Sequence, residues 1–430
     1  MEFTLDSGNT AWMIVASALV LLMTPGLAFF YGGMVRAKSV LNMMMMSFIS
    51  IAIVGVIWFV YGYGLTFGGN NDLGLWAKPS SDLIGLNGVD DGSSLAAAAG
   101  VPFLVMAAFQ ATFAIITVAL ISGSVADRMK FSAWIGFTVL WITFVYFPVA
   151  HAVWGGGILG WDNPITPTSP IDFAGGTVVH INAGAAGLAI ALLLGLRKGF
   201  GKEPFKPHNL PFVMLGSALL WFGWFGFNAG SEFAADATAG RAFVNTVVAP
   251  AVAIIFWLLV ERIRDGKPTS LGAASGIVAG LVAITPAAAS VDTWGAIAIG
   301  AIAGALCALA VGLKYKFGYD DSLDVVGVHL VGGLVGTILI GFFANLDEGT
   351  TWAGAGETLA PKNGLFYGGG VDQLITQTEA ALIAVAYSFV VTLVIGLILK
   401  ATIGLRVSEE VEVQSIDLAE HGETAYEEAK

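Results

Sequence analysis

Two histidines, His180 and His329, stand alone inside long apolar stretches, in the settings DFAGGTVVHINAG and SLDVVGVHLVGG. Each follows an aspartate in a Val- and Gly-rich segment, and each is followed by small residues. An imidazole can hold and pass a proton near neutral pH. Placed where lipid or packed helices surround it, it needs partners or a polar path. Two such placements in similar contexts point to a duplicated architecture with a site where its halves meet. Zinc wants four ligands, and no third His, Cys or carboxylate falls at a matching depth, so no metal or other cofactor is expected. The single cysteine, Cys307, excludes an intrachain disulfide framework and any Cys-based metal site. His151 and His208 fall at the edges of apolar stretches and His421 near the C-terminus, where surface roles are the expectation.

The elements that must position these histidines are membrane helices. Of the 430 residues 56% are hydrophobic and only 12% charged, against roughly 25% charged in soluble domains. Mean hydropathy is +0.80. Lipid must therefore be the solvent for most of this surface. The 56 glycines fit helices packed closely through small residues. The acidic balance arises in loops and tail and carries no nucleic-acid inference. A span needs about 20 apolar residues, and eleven windows qualify: 11–32, 41–67, 97–123, 131–151, 173–196, 210–231, 242–260, 271–291, 293–313, 324–346 and 374–399. The first follows Glu2 and Asp6 rather than a basic segment and is too long for a signal peptide, so it reads as a retained helix. With the N-terminus outside, only Lys78, Arg241 and Lys362 of the 19 Lys and Arg face outward. The bias predicts N-terminus out and C-terminus in.

This fold class is an all-α polytopic membrane protein. Its expected layout is a membrane domain over 1–403, with inverted repeats at about 1–200 and 205–350 and an eleventh helix at about 374–403, then a tail over 404–430. Five spans per copy make the copies antiparallel, an arrangement that puts binding sites near the bilayer midplane. His180 lies eight residues into span five, roughly 12 Å deep, and His329 seven residues into span ten, roughly 10 Å from the opposite face. Both reach the middle of a core about 30 Å thick. The alternative is two unconnected histidines, each satisfied by a neighbouring backbone or hydroxyl group.

Six ordered blocks add a second line of inference: PGLAFFYGGMVR, FQATFAIITVALISGSVADRMKFSA, YFPVAHAVWGGG, DFAGGTVVHINAG, WFGWFGFNAGS and DVVGVHLVGG. Together they resemble the signature blocks of the ammonium transporter (Amt/Mep/Rh) family, nearest its bacterial Amt branch, over essentially the whole chain. The resemblance implies eleven helices, a homotrimer with one pore per subunit in the plasma (inner) membrane, and ammonium uptake rather than enzymatic activity. It implies an outer recruitment site at Phe113, Trp154 and Ser231. Phe109 with partner Phe227 would form the stacked gate, Asp172 the buried acid at the entrance, and His180 and His329 the twin pore histidines. Trp224 and Tyr146 would line or support the vestibule.

The residue types suit that chemistry. Aromatic faces attract a small cation at roughly 0.5–2 kcal/mol per ring, and a serine hydroxyl can accept an N–H bond that K⁺ cannot donate. Asp172 before FAGG fits a helix cap, a long-range field on the arriving cation, or a proton relay. Stripping a bare ammonium ion of water costs tens of kcal/mol by Born-type reasoning, so deprotonation near the outer gate is expected, with ammonia passing the imidazoles and the proton travelling separately. The tail GLRVSEEVEVQSIDLAEHGETAYEEAK reads by composition as solvated and by resemblance as a regulator of the cytoplasmic face. The phosphorylatable Thr of plant relatives is Ala419 here. Expected partners are ammonium/ammonia, with methylammonium as analogue, membrane lipid, sister subunits and a PII-type signal protein. The alternatives are an ammonium sensor (transceptor) and an Rh-like NH3/CO2 gas channel; Trp154 and Ser231 favour the Amt branch.

Overall fold

The computed structural model describes residues 3–70, 74–78, 81–87, 89–160, 164–346 and 359–426. Among them eleven helices are long and apolar enough to cross a membrane. Spans one to five are Ser7–Met34, Ala37–Phe67, Phe103–Val125, Phe131–Trp154 and Gly176–Leu194. Spans six to ten are Leu210–Glu232, Ala237–Arg264, Ser270–Ala287, Thr293–Phe317 and Val326–Phe343, and span eleven is Asp372–Thr402. Two boundaries move from the hydropathy windows for backbone reasons. Span three starts at Phe103 rather than 97, because Gly100 takes a left-handed φ of 70° and Pro102 caps the helix. Span five starts at Gly176 rather than 173, because Gly175 turns the chain at φ 119° and Asp172 serves as its cap.

Polar side chains close the other starts where lipid offers no donor or acceptor. Asp6, Asn209, Asp236, Thr269 and Asp292 accept N–H groups in the first turns of spans one, six, seven, eight and nine. Span one packs most extensively on span six, its counterpart in the five-plus-five reading. Span five likewise meets span ten.

Glycine makes that second crossing close. A Cβ added at Gly184 would fall 2.6 Å from the Cα of Leu330, the residue after His329. One added at Gly333 would fall 3.1 Å from the backbone N of Ile181, the residue after His180. Each glycine lies four residues beyond its own histidine, so the crossing brings the two histidine segments together. Both histidines also lie in single π-helical turns, Gly176–Ile181 and Val326–Leu330. Such turns rotate a side chain out of α register and recur at functional sites.

As far as residue 426 the tail is docked on the spans through a few buried residues, while much of its surface stays exposed. Asp417, almost fully buried, accepts from Leu41 and Asn42 at the start of span two, at 3.0 and 2.8 Å. Glu420 accepts from Phe131 N at the start of span four (3.0 Å). Buried Glu412 takes Lys198 N at 2.7 Å and the Arg406 guanidinium at 2.5 Å. An acid at a helix start gains from the free N–H groups and the helix dipole. The tail's negative charges are therefore its docking groups.

The crossing generates a paired prediction. Gly184→Ala forces spans five and ten apart and lowers stability by about 1–3 kcal/mol, read as a lower melting temperature in detergent. Gly240→Ala, at a helical position with nothing within 4 Å, keeps or raises it by up to about 1 kcal/mol. Equal melting temperatures for the two variants would remove the crossing from the account of stability.

Candidate functional site

Span six presents Trp224, Phe227 and Ser231, spaced three and four residues apart on one face. Span three presents Phe109 and Phe113 at the same helical interval. Trp154 comes from the end of span four, and the histidines from spans five and ten. Their rings form one column. Trp154 stands edge-on to Phe113 at 6.0 Å, and Phe113 stacks on Phe227 at 4.2 Å with 24° between planes. Phe227 lies 6.1 Å from His180, and His180 lies 5.3 Å from His329. The stacked phenyl rings are almost completely buried and lie between Trp154 and His180 in the column.

One expectation is corrected here. The ring stacked on Phe227 is Phe113, not Phe109. Phe109 sits one helical turn nearer the start of span three, tilted against Phe113 at 4.9 Å, because only the later position reaches the level of Phe227. Trp224 also lies deeper than a vestibule residue. It precedes Phe227 by one turn, stacks on His180 at 5.5 Å, and donates its indole N–H to Thr285 Oγ1 at 2.8 Å. Tyr146 is fully buried in span four and packs beside Phe147 at 6.2 Å. His151 is not at the surface: it is fully buried, with Nδ1 2.8 Å from the Thr66 carbonyl. His208 and His421 are half-buried, engaged with Tyr426 and Asn42 respectively.

The two Nδ1 atoms of His180 and His329 lie 3.3 Å apart. At that distance one donates and the other accepts, so the pair is complementary in tautomer. One Nε2 is then a bare acceptor and the other a donor. His180 Nε2 has no hydrogen-bond partner among the described residues. Beside the pair runs a narrow cavity walled by Leu27, Ile116, Leu120, Leu220 and Val278. A second cavity shares Phe30, Val278 and His329 with it and reaches Tyr31, Ser275 and Asp324. Their linings run from Phe227 past the histidines to the start of span ten, where Asp324 pairs with Lys314 at 2.7 Å.

Asp172 occupies the cap, not the lumen. One carboxylate oxygen accepts from Gly175 and Gly176 (2.9 and 2.5 Å), the other from Thr177 and Val178 (2.9 and 3.0 Å). Burial pushes its pKa up while the four N–H bonds pull it down. Its backbone carbonyl also accepts the Trp154 indole N–H at 2.8 Å. This residue thus ties the start of the histidine helix to the wall of the mouth.

Three residues of this site escaped the sequence reading: Gly184, Gly333 and Asp321. Asp321 precedes His329 by eight residues, as Asp172 precedes His180. It is buried and accepts from Val326 N at 2.7 Å and Ser124 Oγ at 2.9 Å. Burial raises its carboxyl to about 6, against the pull of Lys314. The recurring interval of aspartate, histidine and glycine was the available signal; Asp324, nearer His329, drew attention away from it. No group of three or more His, Cys, Asp or Glu suited to a metal occurs among the described residues.

Comparison with known proteins is consistent along the whole chain. Residues 11–426 match the model of the Ammonium Transporter Family. An ammonium transporter of Mycobacterium tuberculosis is 57% identical over 444 residues, spanning 98% of this chain and 91% of its own. An ammonium transporter of Aquifex aeolicus is 50% identical over 429 residues, spanning 99% and 95%. Among solved structures, Mep2 of Candida albicans superposes with a TM-score of 0.83 at 32% identity, covering 94% of this chain and 87% of that one. A structure described as a sensor Amt protein reaches 0.82 at 28% identity, covering 96% and 98%.

Asp321 sets a pH dependence with a definite sign. Its folded pKa of about 6 exceeds an unfolded value of about 3.9, so the fold holds its proton more tightly. That contribution is full below about pH 4 and is lost as pH rises through 6. The melting temperature of Asp321→Asn should therefore gain on the wild type between pH 4 and 7. Parallel curves for the two proteins would contradict this.

Proposed function

This chain belongs to the ammonium transporter family, whose members are transporters rather than enzymes, and we propose that it takes up ammonium by parting it into ammonia and a proton at the ring column. The observation that carries the proposal is the 3.3 Å Nδ1 pair below a closed phenyl stack in an apolar lumen. In this reading the face bearing the N-terminus and Trp154 is outside and the tail is cytoplasmic.

Ammonium is recruited against the faces of Phe113 and Trp154. Ser231 donates its own O–H to the Phe227 carbonyl at 2.8 Å, which leaves its lone pairs free to accept an ammonium N–H. Below, the Phe113–Phe227 stack must swing aside, and the apolar lumen beyond it rejects a bare ion. Neutral ammonia avoids that penalty. Inside, the complementary Nε2 atoms supply the acceptor and the donor that a dissolved ammonia molecule would lose. The proton passes along the shared Nδ1 contact and leaves by the Asp324 end, which makes transport electrogenic.

Asp172 acts by fixing the start of span five and through its field rather than by touching substrate. An inverted repeat over spans one to five and six to ten, a homotrimeric assembly and control by a PII-type protein at the docked tail complete the proposal; family membership supports the last two.

The test is current and flux measured together in liposomes holding the purified protein. Ammonium should evoke an inward current; intact flux with zero current would overturn the separate proton route. His180→Ala and His329→Ala should lose net transport or rejection of K⁺ while binding at the mouth persists. Phe113→Ala should change conductance and affinity, and Phe109→Ala should change them less, since only Phe113 stacks on Phe227.

A further inference from the structure

The end of span six holds a carboxylate that the transport reading leaves unused. Its position is fixed by its neighbours on both sides. A Cβ on Gly230 would meet the Phe109 ring at 3.0 Å, so the backbone lies directly on that ring. Ser231 is bonded to the Phe227 carbonyl. Phe233 stands edge-on to Phe109 at 6.2 Å. It does so from a φ of 64°, a left-handed conformation that a bulky residue adopts only where its surroundings hold it. Glu232 sits between these anchored residues, at the open end of the ring column.

Among the described residues, acids that begin neighbouring spans are engaged. Asp6, Asp236 and Asp292 cap helices, Asp172 holds four N–H groups, and Asp372 pairs with Lys362 at 2.7 Å. Glu232 is half-buried and has no hydrogen-bond or ion-pair partner among the described residues. A carboxylate in that state favours a cation, and partial burial weakens its screening by salt. Rings attract a cation only at short range, whereas a fixed charge raises its local concentration over the Debye length.

We propose that Glu232 is a fourth element of the mouth, a fixed carboxylate that concentrates small ammonium-type cations over the Phe113–Trp154 site. This rests on the reading of that site as the recruitment point. The carboxylate attracts K⁺ as readily as ammonium, so it sets occupancy and leaves selectivity to the gate and histidines. It acts before the slow steps in the lumen, so its removal changes KM and spares the maximal rate.

The experiment is methylammonium uptake by cells lacking their own transporters, with expression measured on the same membranes. In low-salt medium Glu232→Gln should raise KM about fivefold, the scale of a partly exposed charge–cation contact, with maximal rate per protein retained. Glu232→Asp should lie between the variant and the wild type. The difference should shrink as an inert salt raises ionic strength, a response that a structural role would not produce. An unchanged KM in low salt, a loss of maximal rate without a KM change, or a salt-independent KM shift each overturns the assignment. Phe113→Ala and Trp154→Leu run alongside. If they also leave KM unchanged, the recruitment site itself is wrong; if they raise it and Glu232→Gln does not, only the role of Glu232 falls.

Discussion

The site depends on one close approach, the crossing of spans five and ten at glycine. Lipid gives helices no hydrophobic reason to associate, so contact rests on packing and buried polar groups. Gly184 and Gly333 let each helix reach the backbone beside the other's histidine. A side chain at Gly184 would clash with the backbone of Leu330 and push the two helices apart. A proton shared between Nδ1 atoms is thus a consequence of two missing methyl groups. The π turns complete the effect by rotating both rings toward each other at the cost of regular helix hydrogen bonding.

Around that crossing the polar groups divide their work by depth. At the ends of the spans, Asp172 and Asp321 spend their oxygens on backbone N–H groups that lipid could never satisfy. In the middle, His180 Nε2 is one of the buried polar atoms without a hydrogen-bond partner among the described residues, and His180 lines the apolar cavity. An unsatisfied ring nitrogen in such a place is expensive, and a passing ammonia would relieve it. In the proposed route, apolar walls and the imidazole pair would favour a neutral molecule over an ion by the same physics that makes the bilayer a barrier.

The tail applies the same logic at the opposite face. Asp417 and Glu420 cap spans two and four, so the C-terminal segment completes helices of the transport domain itself. Releasing that segment would leave those helix starts without their caps.

Composition and periodicity determined most of the architecture. Eleven apolar windows became eleven helices because a backbone in lipid has no other way to satisfy itself, and the two histidines expected at a common level do meet. The residues of the mouth were legible as types and through family blocks. Their partnerships were not. Phe109 and Phe113 occur at equivalent positions in one helical stripe, and only the relative height of spans three and six decides that Phe113 meets Phe227. Trp224 and His151 were misplaced for the same reason: hydropathy records that a segment is apolar but not which way a helix is turned. The tail read as solvated because its acids look soluble until the helix starts they cap lie beside them. Sequence by itself determined which segments form helices long and apolar enough to cross a membrane. Tertiary structure decided which of them touch, because contact depends on helix rotation, on π turns that shift register, and on glycines whose meaning is the neighbour they admit.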